Sequence, residues 1–279
     1  MQTYWEVVAF IFGAMIGSFL NVCIGRWPAE LSVVKPRSRC PHCGHQLAWF
    51  ENIPLLSWLA LRARCRCCAE PISVQYPLVE LAIAVLWTIC VASFGPTFMA
   101  VRIAIVITVL FGVAVTDAKH YLIPDGFTLF GLLFALGTAV YAYMTLDNGP
   151  FAGVYDSVIG ACAGAGMIAI VGWLGEMAFK KEAMGMGDMT LMAFVGAMVG
   201  PPRAILTIFV GAAIGAAAFI LIVYPIAWFR RDQRMEQGEL PLGPTPFEPP
   251  LVPFGVFLAP AAVVTLLWGN AVFAWIFGG

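Results

Sequence analysis

Charged residues are scarce in this chain. Asp, Glu, Lys and Arg make up 11% of the 279 residues, whereas 61% are hydrophobic and the mean hydropathy is +0.88. So little charge excludes an ordinary soluble domain, in which about a quarter of the residues are charged. The net charge of −1 points to no class of partner, and no nucleic-acid partner is expected. The composition predicts an all-α integral membrane protein.

The first apolar segment lacks two features of a removable secretory signal peptide. Almost no basic residue precedes it, and no small-residue cleavage site follows it, so we expect a retained membrane anchor. Eight apolar runs are candidates for spanning helices, and the sixth is so short that a tilted or partly buried helix is expected. The runs cover roughly residues 4–25, 77–95, 98–116, 126–146, 152–178, 189–200, 204–229 and 254–277.

Basic residues are distributed unevenly between the two sides of these runs. Because lysine and arginine collect in cytoplasmic loops, the side with thirteen of the fifteen is predicted to be cytosolic, and the side with Arg102 and Arg203 external. Both termini then face the exterior or periplasm. The predicted cytosolic loops are 26–76, 117–125, 180–188 and 230–253. Their basic residues are Arg26, Lys35, Arg37, Arg39, Arg62, Arg64, Arg66, Lys119, Lys180, Lys181, Arg230, Arg231 and Arg234.

The longest hydrophilic stretch, residues 26–76, contains five of the eight cysteines. Two Cys-x-x-Cys pairs lie in it, separated by 21 residues, which is typical of two knuckles that bind one tetrahedral Zn²⁺. Because the cytosol keeps thiols reduced, zinc is favoured over a disulfide or redox pair. The predicted ligands are Cys40, Cys43, Cys65 and Cys68.

This zinc is predicted to be structural. A loop of about 50 residues is too small for a sizeable core, so a metal cross-link would supply much of its folding free energy. Four thiolates also leave no open position for catalysis. Cys67, His42 or His45 are alternatives for the fourth ligand, although the spacing favours Cys68. The predicted organisation is an anchor at 1–25, a zinc-binding domain at 26–76 and a multi-helix membrane domain at 77–279.

Asp117 and Asp188 lie where apolar segments meet the predicted cytosolic face. Carboxylates are costly at membrane depth and usually mark function there. Asp125 competes for that interpretation, but it follows Pro124 and is well explained as a helix-start residue. Two such carboxylates can bind a cation, relay protons, or form an aspartic protease pair that shares one proton and activates water.

Asp117 and Asp188 are predicted to differ in their resting protonation. Asp188 lies at a helix N-terminus, which favours the anion, whereas Asp117 ends a helix, which disfavours it. We therefore expect Asp188 to start as the general base and Asp117 to hold the shared proton. Gly185 and Gly187 precede Asp188 and permit close approach of a substrate strand to the carboxylate.

Seven blocks of sequence occur in order along nearly the whole chain. They are GSFLNV at 17–22, the tetracysteine loop, ENIPLLSWL at 51–59, YPLVEL at 76–81, DAKHYLIPD at 117–125, KEAMGMGD at 181–188 and PFG at 253–255. Together they resemble the bacterial type IV prepilin peptidases, which are membrane aspartyl proteases of the Gly-x-Gly-Asp type and usually also N-methyltransferases.

The resemblance implies a function and a site. Asp117 and Asp188 would be the catalytic pair of an enzyme in the bacterial inner membrane that cleaves basic leader peptides of prepilins or pseudopilins, as used in type IV pili and type II secretion. The new N-terminal residue would then be methylated with S-adenosylmethionine. Two positions depart from the family pattern. Thr190 stands where the family commonly has lysine, which weakens the assignment of Asp188 as resting base, and Gln75 replaces a frequent arginine.

The methyl donor's site does not follow from a known motif. A soluble methyltransferase would show a glycine-rich turn between strand and helix, but the glycine-rich stretches 160–166 and 211–215 lie inside apolar runs. They are predicted to be small-residue contacts between helices. Loops and helix ends must then form the pocket. The polar residues on the predicted cytosolic face, among which the sequence does not choose, are Glu51, Asn52, Glu80, Lys181 and Glu182.

Two rival functions use the same features differently. An ion or proton transporter would place its acids near the bilayer midplane and show paired repeats, and neither feature is visible. A zinc-stabilised scaffold would leave Asp117 and Asp188 without a role. The arginines of the loop 26–76 repel a basic leader, so we expect them to contact anionic headgroups of membrane lipids.

Overall fold

The computed structural model describes residues 1–145, 149–180, 184–229 and 252–277, and helices dominate these ranges. The predicted loop 230–253, apart from its last two residues, and the residues Lys181, Glu182 and Asp147 lie outside the described ranges. The helices are α1 (Gln2–Arg26), α2 (Leu56–Ala60), α3 (Gln75–Phe94), α4 (Phe98–His120), α5 (Asp125–Thr145), α6 (Val154–Phe179), α7 (Met186–Val199), α8 (Pro201–Ala218) and α9 (Gly255–Phe277). A π-helical segment, Phe219–Val223, continues α8.

Seven helices in the described part of the chain are long and apolar enough to cross a membrane. The remaining apolar helix, α7, has 14 residues, which at 1.5 Å per residue gives about 21 Å and falls short of a hydrocarbon core of about 30 Å. The predicted all-α membrane fold, with eight apolar segments of which the sixth is short, is confirmed.

The chain divides into two compact units. Unit 1 comprises Met1–Thr116 and Pro124–Phe134, and unit 2 comprises Asp117–Ile123 and residues 135–279. The functional division at residues 25 and 76 stays a prediction.

In unit 1, α1 and α3 pack closely through glycines. A Cβ atom on Gly17 would lie 2.8 Å from the Cα atom of Glu80, so only glycine permits this approach. One turn further along α1, Asn21 donates a hydrogen bond from Nδ2 to the carbonyl oxygen of Tyr76 at 3.0 Å. This packing fixes the end of α1 from which the loop 26–76 leaves the membrane segment.

In unit 2, glycines likewise bring α6 and α7 together. A Cβ atom on Gly160 would clash with the backbone of Gly196, and one on Gly164 with the backbone of Met192. The predicted role of the 160–166 stretch as a small-residue helix contact is confirmed for these two glycines. Unit 2 is further tied by a hydrogen bond of 2.6 Å between the hydroxyls of Thr207 on α8 and Thr265 on α9.

Candidate active site

Asp117 lies in the last turn of α4, and its side chain is buried, with 4% of the residue exposed. Its Oδ2 atom accepts a hydrogen bond from the backbone N–H of Val256 at 3.2 Å. The neighbouring N–H of Gly255 is a second backbone donor. Both donors belong to the first turn of α9, whose N–H groups have no partner within the helix. The carboxylate of Asp117 therefore occupies the N-terminal end of α9.

Gly255 leaves room for this carboxylate. A Cβ atom at position 255 would lie 2.8 Å from Asp117 Oδ2 and 2.8 Å from Ile123 Cδ1. Contacts this short require the neighbouring atoms to move. Glycine at this position is thus a steric requirement of the site.

Asp188 lies in the first turn of α7 and is partly buried. Its backbone N–H donates to the carbonyl oxygen of Gly185 at 3.2 Å, and its carboxylate accepts a hydrogen bond from the Gly185 N–H. Gly187 lies against Ile123, where a Cβ atom would come within 2.9 Å of the Ile123 Cβ atom. The glycine before Asp188 therefore allows close backbone approach, as predicted, but the neighbour seen here is the chain itself.

Asp117 and Asp188 are close enough that the charge of Asp117 acts on the Asp188 carboxylate. Where one carboxylate acts on another in this way, ionisation of the first disfavours ionisation of the second. Such coupling is compatible with the predicted general acid and general base pair. The structure thus brings together the two aspartates singled out from the sequence.

Ile123 contributes to the site in a way that the sequence does not reveal. Ile123 is buried, and both Gly187 and Gly255 pack against it. It therefore lies between the segment before Asp188 and the start of α9, and these two segments supply the backbone N–H donors. No charge or motif marks an isoleucine for such a role. Asp125, by contrast, is the first residue of α5, and its predicted role as a helix-start residue is confirmed.

Thr190, where the family resemblance led us to expect lysine, lies one turn into α7. Its hydroxyl donates to the carbonyl oxygen of Gly187 at 3.0 Å. This side chain therefore adds a hydrogen bond within α7 instead of the positive charge that a lysine would carry.

In unit 1, the predicted zinc ligands converge. The sulfur atoms of Cys40, Cys43, Cys65 and Cys68 all lie within 4.8 Å of one another. Two of the separations, Cys40 to Cys68 and Cys43 to Cys65, are 3.8 and 3.9 Å. Four ligands at about 2.3 Å from a tetrahedral Zn²⁺ would be separated by about 3.8 Å, so the donor set fits this ion. Disulfide sulfurs would be only about 2 Å apart.

Each cysteine pair is held by the same backbone turn. The N–H of Cys40 donates to the carbonyl of His45 at 2.9 Å, and the N–H of Cys65 donates to the carbonyl of Glu70 at 2.8 Å. The turns continue through Gly44 and Ala69, both with positive φ. Short-range hydrogen bonds thus orient the two pairs before any long-range contact is needed.

The alternative ligands Cys67, His42 and His45 are not among the ligand atoms that converge. Cys67 is exposed and does not belong to the group of converging sulfurs. The His45 ring nitrogen Nε2 lies 3.1 Å from Glu51 Oε2. The N–H of Ala48 donates to the same oxygen at 2.8 Å, and this bond, followed by that to His45, lowers the pKa of Glu51. Glu51 therefore joins His45 and Ala48 through hydrogen bonds, next to the first cysteine pair.

Two family models match the chain. Residues 11–94 match the Bacterial Peptidase A24 N-terminal domain, and residues 104–220 match the Type IV leader peptidase family. The second match contains both Asp117 and Asp188. The chain belongs to the type IV leader peptidase family. The resemblance predicted from the sequence blocks is confirmed, and with it an enzyme of the peptidase class, whereas nothing supports a transporter.

Three relatives from this leader peptidase family match 70% or more of the present chain. Each of three is named prepilin leader peptidase/N-methyltransferase. The protein from Stutzerimonas stutzeri is 35% identical over 95% of this chain and 91% of its own, and that from Aeromonas hydrophila is 35% identical over 98% and 93%. The protein from Myxococcus xanthus is 43% identical over 70% of this chain, which corresponds to 56% of its own length. No solved structure matches the chain.

Proposed function

We propose that this leader peptidase cleaves the leader peptides of type IV prepilins or pseudopilins and then methylates the new N-terminal residue. Two observations support both activities. The first is the family membership, and the second is that the relatives from Stutzerimonas stutzeri and Aeromonas hydrophila match this chain over 91% and 93% of their own length. The observation that carries the peptidase half is the meeting of Asp117 and Asp188, each held by backbone N–H groups of a helix start.

Cleavage by this pair proceeds without a covalent enzyme intermediate. One carboxylate takes a proton from water, whose oxygen attacks the carbonyl carbon of the junction, while the protonated partner donates to the carbonyl oxygen. Collapse of the tetrahedral intermediate then breaks the C–N bond as the nitrogen gains a proton. The products are the leader carboxylate and a new N-terminal amine.

The assignment of acid and base depends on more than each residue's own helix. Asp188 begins α7, which supports it as the base, while Asp117 ends α4 but also accepts hydrogen bonds from the start of α9. The Asp117 carboxylate therefore lies at the C-terminal end of α4 and at the N-terminal end of α9. The dipoles of these two helices act on its negative charge in opposite directions. Asp188 as resting base stays a prediction. A pH profile of the cleavage rate with two limbs is expected from a proton-sharing pair.

The site faces the cytosol in this proposal, and the protein lies in the bacterial inner membrane. The support is the concentration of lysine and arginine in alternate loops. An apolar substrate helix enters laterally between spans, with its basic leader in the cytosol. Exposed arginines of the loop 26–76 contact anionic lipid headgroups.

A structural Zn²⁺ would be held by Cys40, Cys43, Cys65 and Cys68, whose sulfur separations suit tetrahedral coordination. When bound, the ion cross-links the two knuckles and leaves no position for a substrate. The methyl donor is S-adenosylmethionine.

The proposal is tested with purified protein and a peptide that carries a basic leader, a Gly-Phe junction and an apolar helix. Asp117→Asn and Asp188→Asn are each expected to reduce cleavage by at least about 10³-fold, because the pair acts as a unit. Asp125→Asn is the matched control, since Asp125 only begins α5, and it should cleave at the wild-type rate.

Two results would contradict the proposal. Cleavage that survives either asparagine substitution would remove the catalytic assignment. Failure of the wild-type protein to cleave any such peptide would remove the peptidase function itself.

A further inference from the structure

An exposed apolar stripe runs along α1 and leads to an arginine. Its members recur at intervals of three or four residues, so they share one side of the helix, and each is more than half exposed. They are Tyr4, Val7, Ile11, Met15 and Phe19. Val22 and Arg26 continue the same interval into the last turn of α1. Because α1 is long and apolar enough to cross a membrane, the stripe has the composition of a surface that contacts lipid acyl chains.

The end of this stripe lines a cavity of about 450 Å³ in unit 1. Met15, Phe19, Val22 and Arg26 form its wall on α1, and loop positions between residues 33 and 54 form the other walls. From Met15 to Arg26 the helix rises about 16 Å, at about 1.5 Å per residue. This rise is close to half of a hydrocarbon core of about 30 Å, which is the depth of one lipid leaflet.

The charges in the cavity lining have one sign. Arg26 and Arg37 both line it, and none of the lining residues in the described structure is acidic. Nη1 of Arg26 donates to the carbonyl oxygen of Ser32 at 3.0 Å, which orients the guanidinium at the end of α1. A guanidinium has about five N–H donors, so this bond leaves others for a ligand. The lining therefore favours an anion.

Uncharged polar groups and an aromatic ring complete the loop side of the cavity. Ser38 and Asn52 contribute a hydroxyl and an amide, and Trp49 contributes a side chain of a residue that is 75% exposed. Tryptophan is enriched where proteins meet lipid headgroups, because its ring is apolar and its N–H is polar. Hydroxyl and amide groups bind the hydroxyls of a glycerol headgroup. The cavity thus combines groups for each part of an anionic lipid.

We propose that this cavity binds one anionic phospholipid of the phosphatidylglycerol class. Its phosphate accepts hydrogen bonds from Arg26 and Arg37, since arginine binds phosphate through two parallel bonds. Its glycerol headgroup lies against Ser38 and Asn52, and one acyl chain follows the stripe toward Ile11. This assigns a single site, beyond the general contact of loop arginines with headgroups. It rests on the membrane placement in the proposed function, but on neither of the two activities.

Other ligands match this lining less well. A basic leader peptide and the net-cationic methyl donor would both meet two arginines and no carboxylate. Phosphatidylethanolamine has the same phosphate but adds an ammonium group, which the arginines repel. A free phosphate compound would leave the apolar wall of Met15, Phe19 and Val22 without a partner. An anionic phospholipid matches both the charge and the apolar stripe.

The test is native mass spectrometry of the purified full-length protein in detergent, titrated with each lipid. We expect one tightly bound phosphatidylglycerol per chain and weaker binding of phosphatidylethanolamine. Arg37→Gln should weaken phosphatidylglycerol binding at least about tenfold, as expected for loss of a charge-assisted hydrogen bond. Arg37→Lys keeps the positive charge and should restore part of the affinity.

Arg39→Gln is the matched control. It removes the same charge from the same loop, but Arg39 is exposed and does not line the cavity, so its affinity should equal that of the wild type. An unchanged unfolding temperature verifies that each variant is folded.

A second measurement locates the acyl chain. Phosphatidylglycerol with a photoreactive group in the middle of one chain is bound, irradiated and digested with trypsin. The label should appear in the peptide 1–26, on members of the stripe. An excess of unlabelled phosphatidylglycerol should prevent this labelling, whereas the same excess of phosphatidylethanolamine should not.

Three results would overturn the inference. Equal affinity of wild type and Arg37→Gln, or an equal loss in Arg39→Gln, would show that no site is formed at Arg37. Labelling of many helices without preference for the stripe would indicate contact with bulk lipid. Displacement of the lipid by inorganic phosphate would assign the cavity to a soluble phosphate compound. Leader-peptide cleavage by the wild type is measured separately, so failure of the lipid site is distinguishable from failure of the proposed function.

Discussion

The tetracysteine loop, residues 26–76, and the aspartate site achieve order in different ways. In the loop, two short turns place two cysteines each, and hydrogen bonds between residues five apart fix both turns. In the aspartate site, Asp117, Asp188 and Gly255 come from the ends of three different helices. The first arrangement is local, and its two halves meet at four sulfur atoms that could hold one metal ion. The second needs the packing of unit 2 before any of its parts can meet.

The comparison also explains why glycine matters differently in the two places. In the loop, Gly44 adopts a positive φ in a knuckle, and Ala69 adopts the same conformation in the other knuckle. Near the aspartates, Gly187 and Gly255 are needed because a side chain would clash with Ile123 or Asp117. The knuckles of the loop require a backbone conformation with positive φ. The aspartate site requires residues without a side chain.

The largest expected effect comes from removing a zinc ligand. Cys65→Ser should abolish zinc binding and unfold the loop, because structural zinc sites contribute on the order of 10 kcal/mol to the folding of small domains. Elemental analysis should find about one zinc per wild-type chain and none in the variant, since one ion satisfies all four thiolates. Trypsin should cut the variant faster at the loop arginines.

Cys67→Ser is the matched control for this substitution. Cys67 lies two residues from Cys65 but is exposed and outside the sulfur cluster, so zinc content and trypsin resistance should not change. Equal loss of zinc in both variants would show that the loop does not use the four cysteines in the arrangement described.

An intermediate effect is expected from filling the space at Gly255. Gly255→Ala places a methyl group 2.8 Å from the Asp117 Oδ2 atom, so the carboxylate must move. A shift of about 1 Å in a catalytic group can reduce the rate about 10²-fold. The kcat for leader-peptide cleavage should fall accordingly, whereas the thermal unfolding temperature should change little.

Gly137→Ala provides the control, because a Cβ atom there meets nothing within 4 Å. Its cleavage rate should equal that of the wild type, and alanine within a helix should stabilise α5 slightly. Wild-type kcat in Gly255→Ala would show that the position of Asp117 is less constrained than the contact distances imply.

The smallest effect concerns Glu51 and pH. Hydrogen bonds from the Ala48 N–H and from His45 lower the pKa of Glu51 from its usual 4.5 in the folded loop. Its contribution to stability is therefore present above pH 4.5 and lost as the pH falls through the lowered value. Hydrogen exchange at the Ala48 amide, corrected for intrinsic rates, should accelerate over this interval.

Glu51→Gln should flatten this dependence, because glutamine does not titrate but can still accept the Ala48 hydrogen bond. Zinc content, measured in parallel, separates this effect from protonation of the cysteines. An unchanged pH dependence in the variant would assign the acid sensitivity to another group.

The two sites also differ in how much of them could be predicted. Cysteine spacing alone predicted the four converging sulfurs, because a knuckle is encoded within a few neighbouring residues. Asp117 and Asp188 were marked by their charge in an apolar chain and by the family resemblance. Their backbone partners could not be predicted, since Val256 is 139 residues from Asp117 and nothing in its side chain identifies it as a donor.

The amino-acid sequence by itself determined the membrane class, the short sixth apolar helix, the cysteine cluster and the membership of the leader peptidase family. These features depend on hydrophobic runs, local spacing and ordered motifs, all of which are visible along the chain. Only the tertiary structure decided that the Asp117 carboxylate lies at the start of α9 and that Ile123 packs against Gly187 and Gly255. The reason is that helix packing joins residues far apart in sequence, and backbone N–H groups leave no mark in side-chain chemistry.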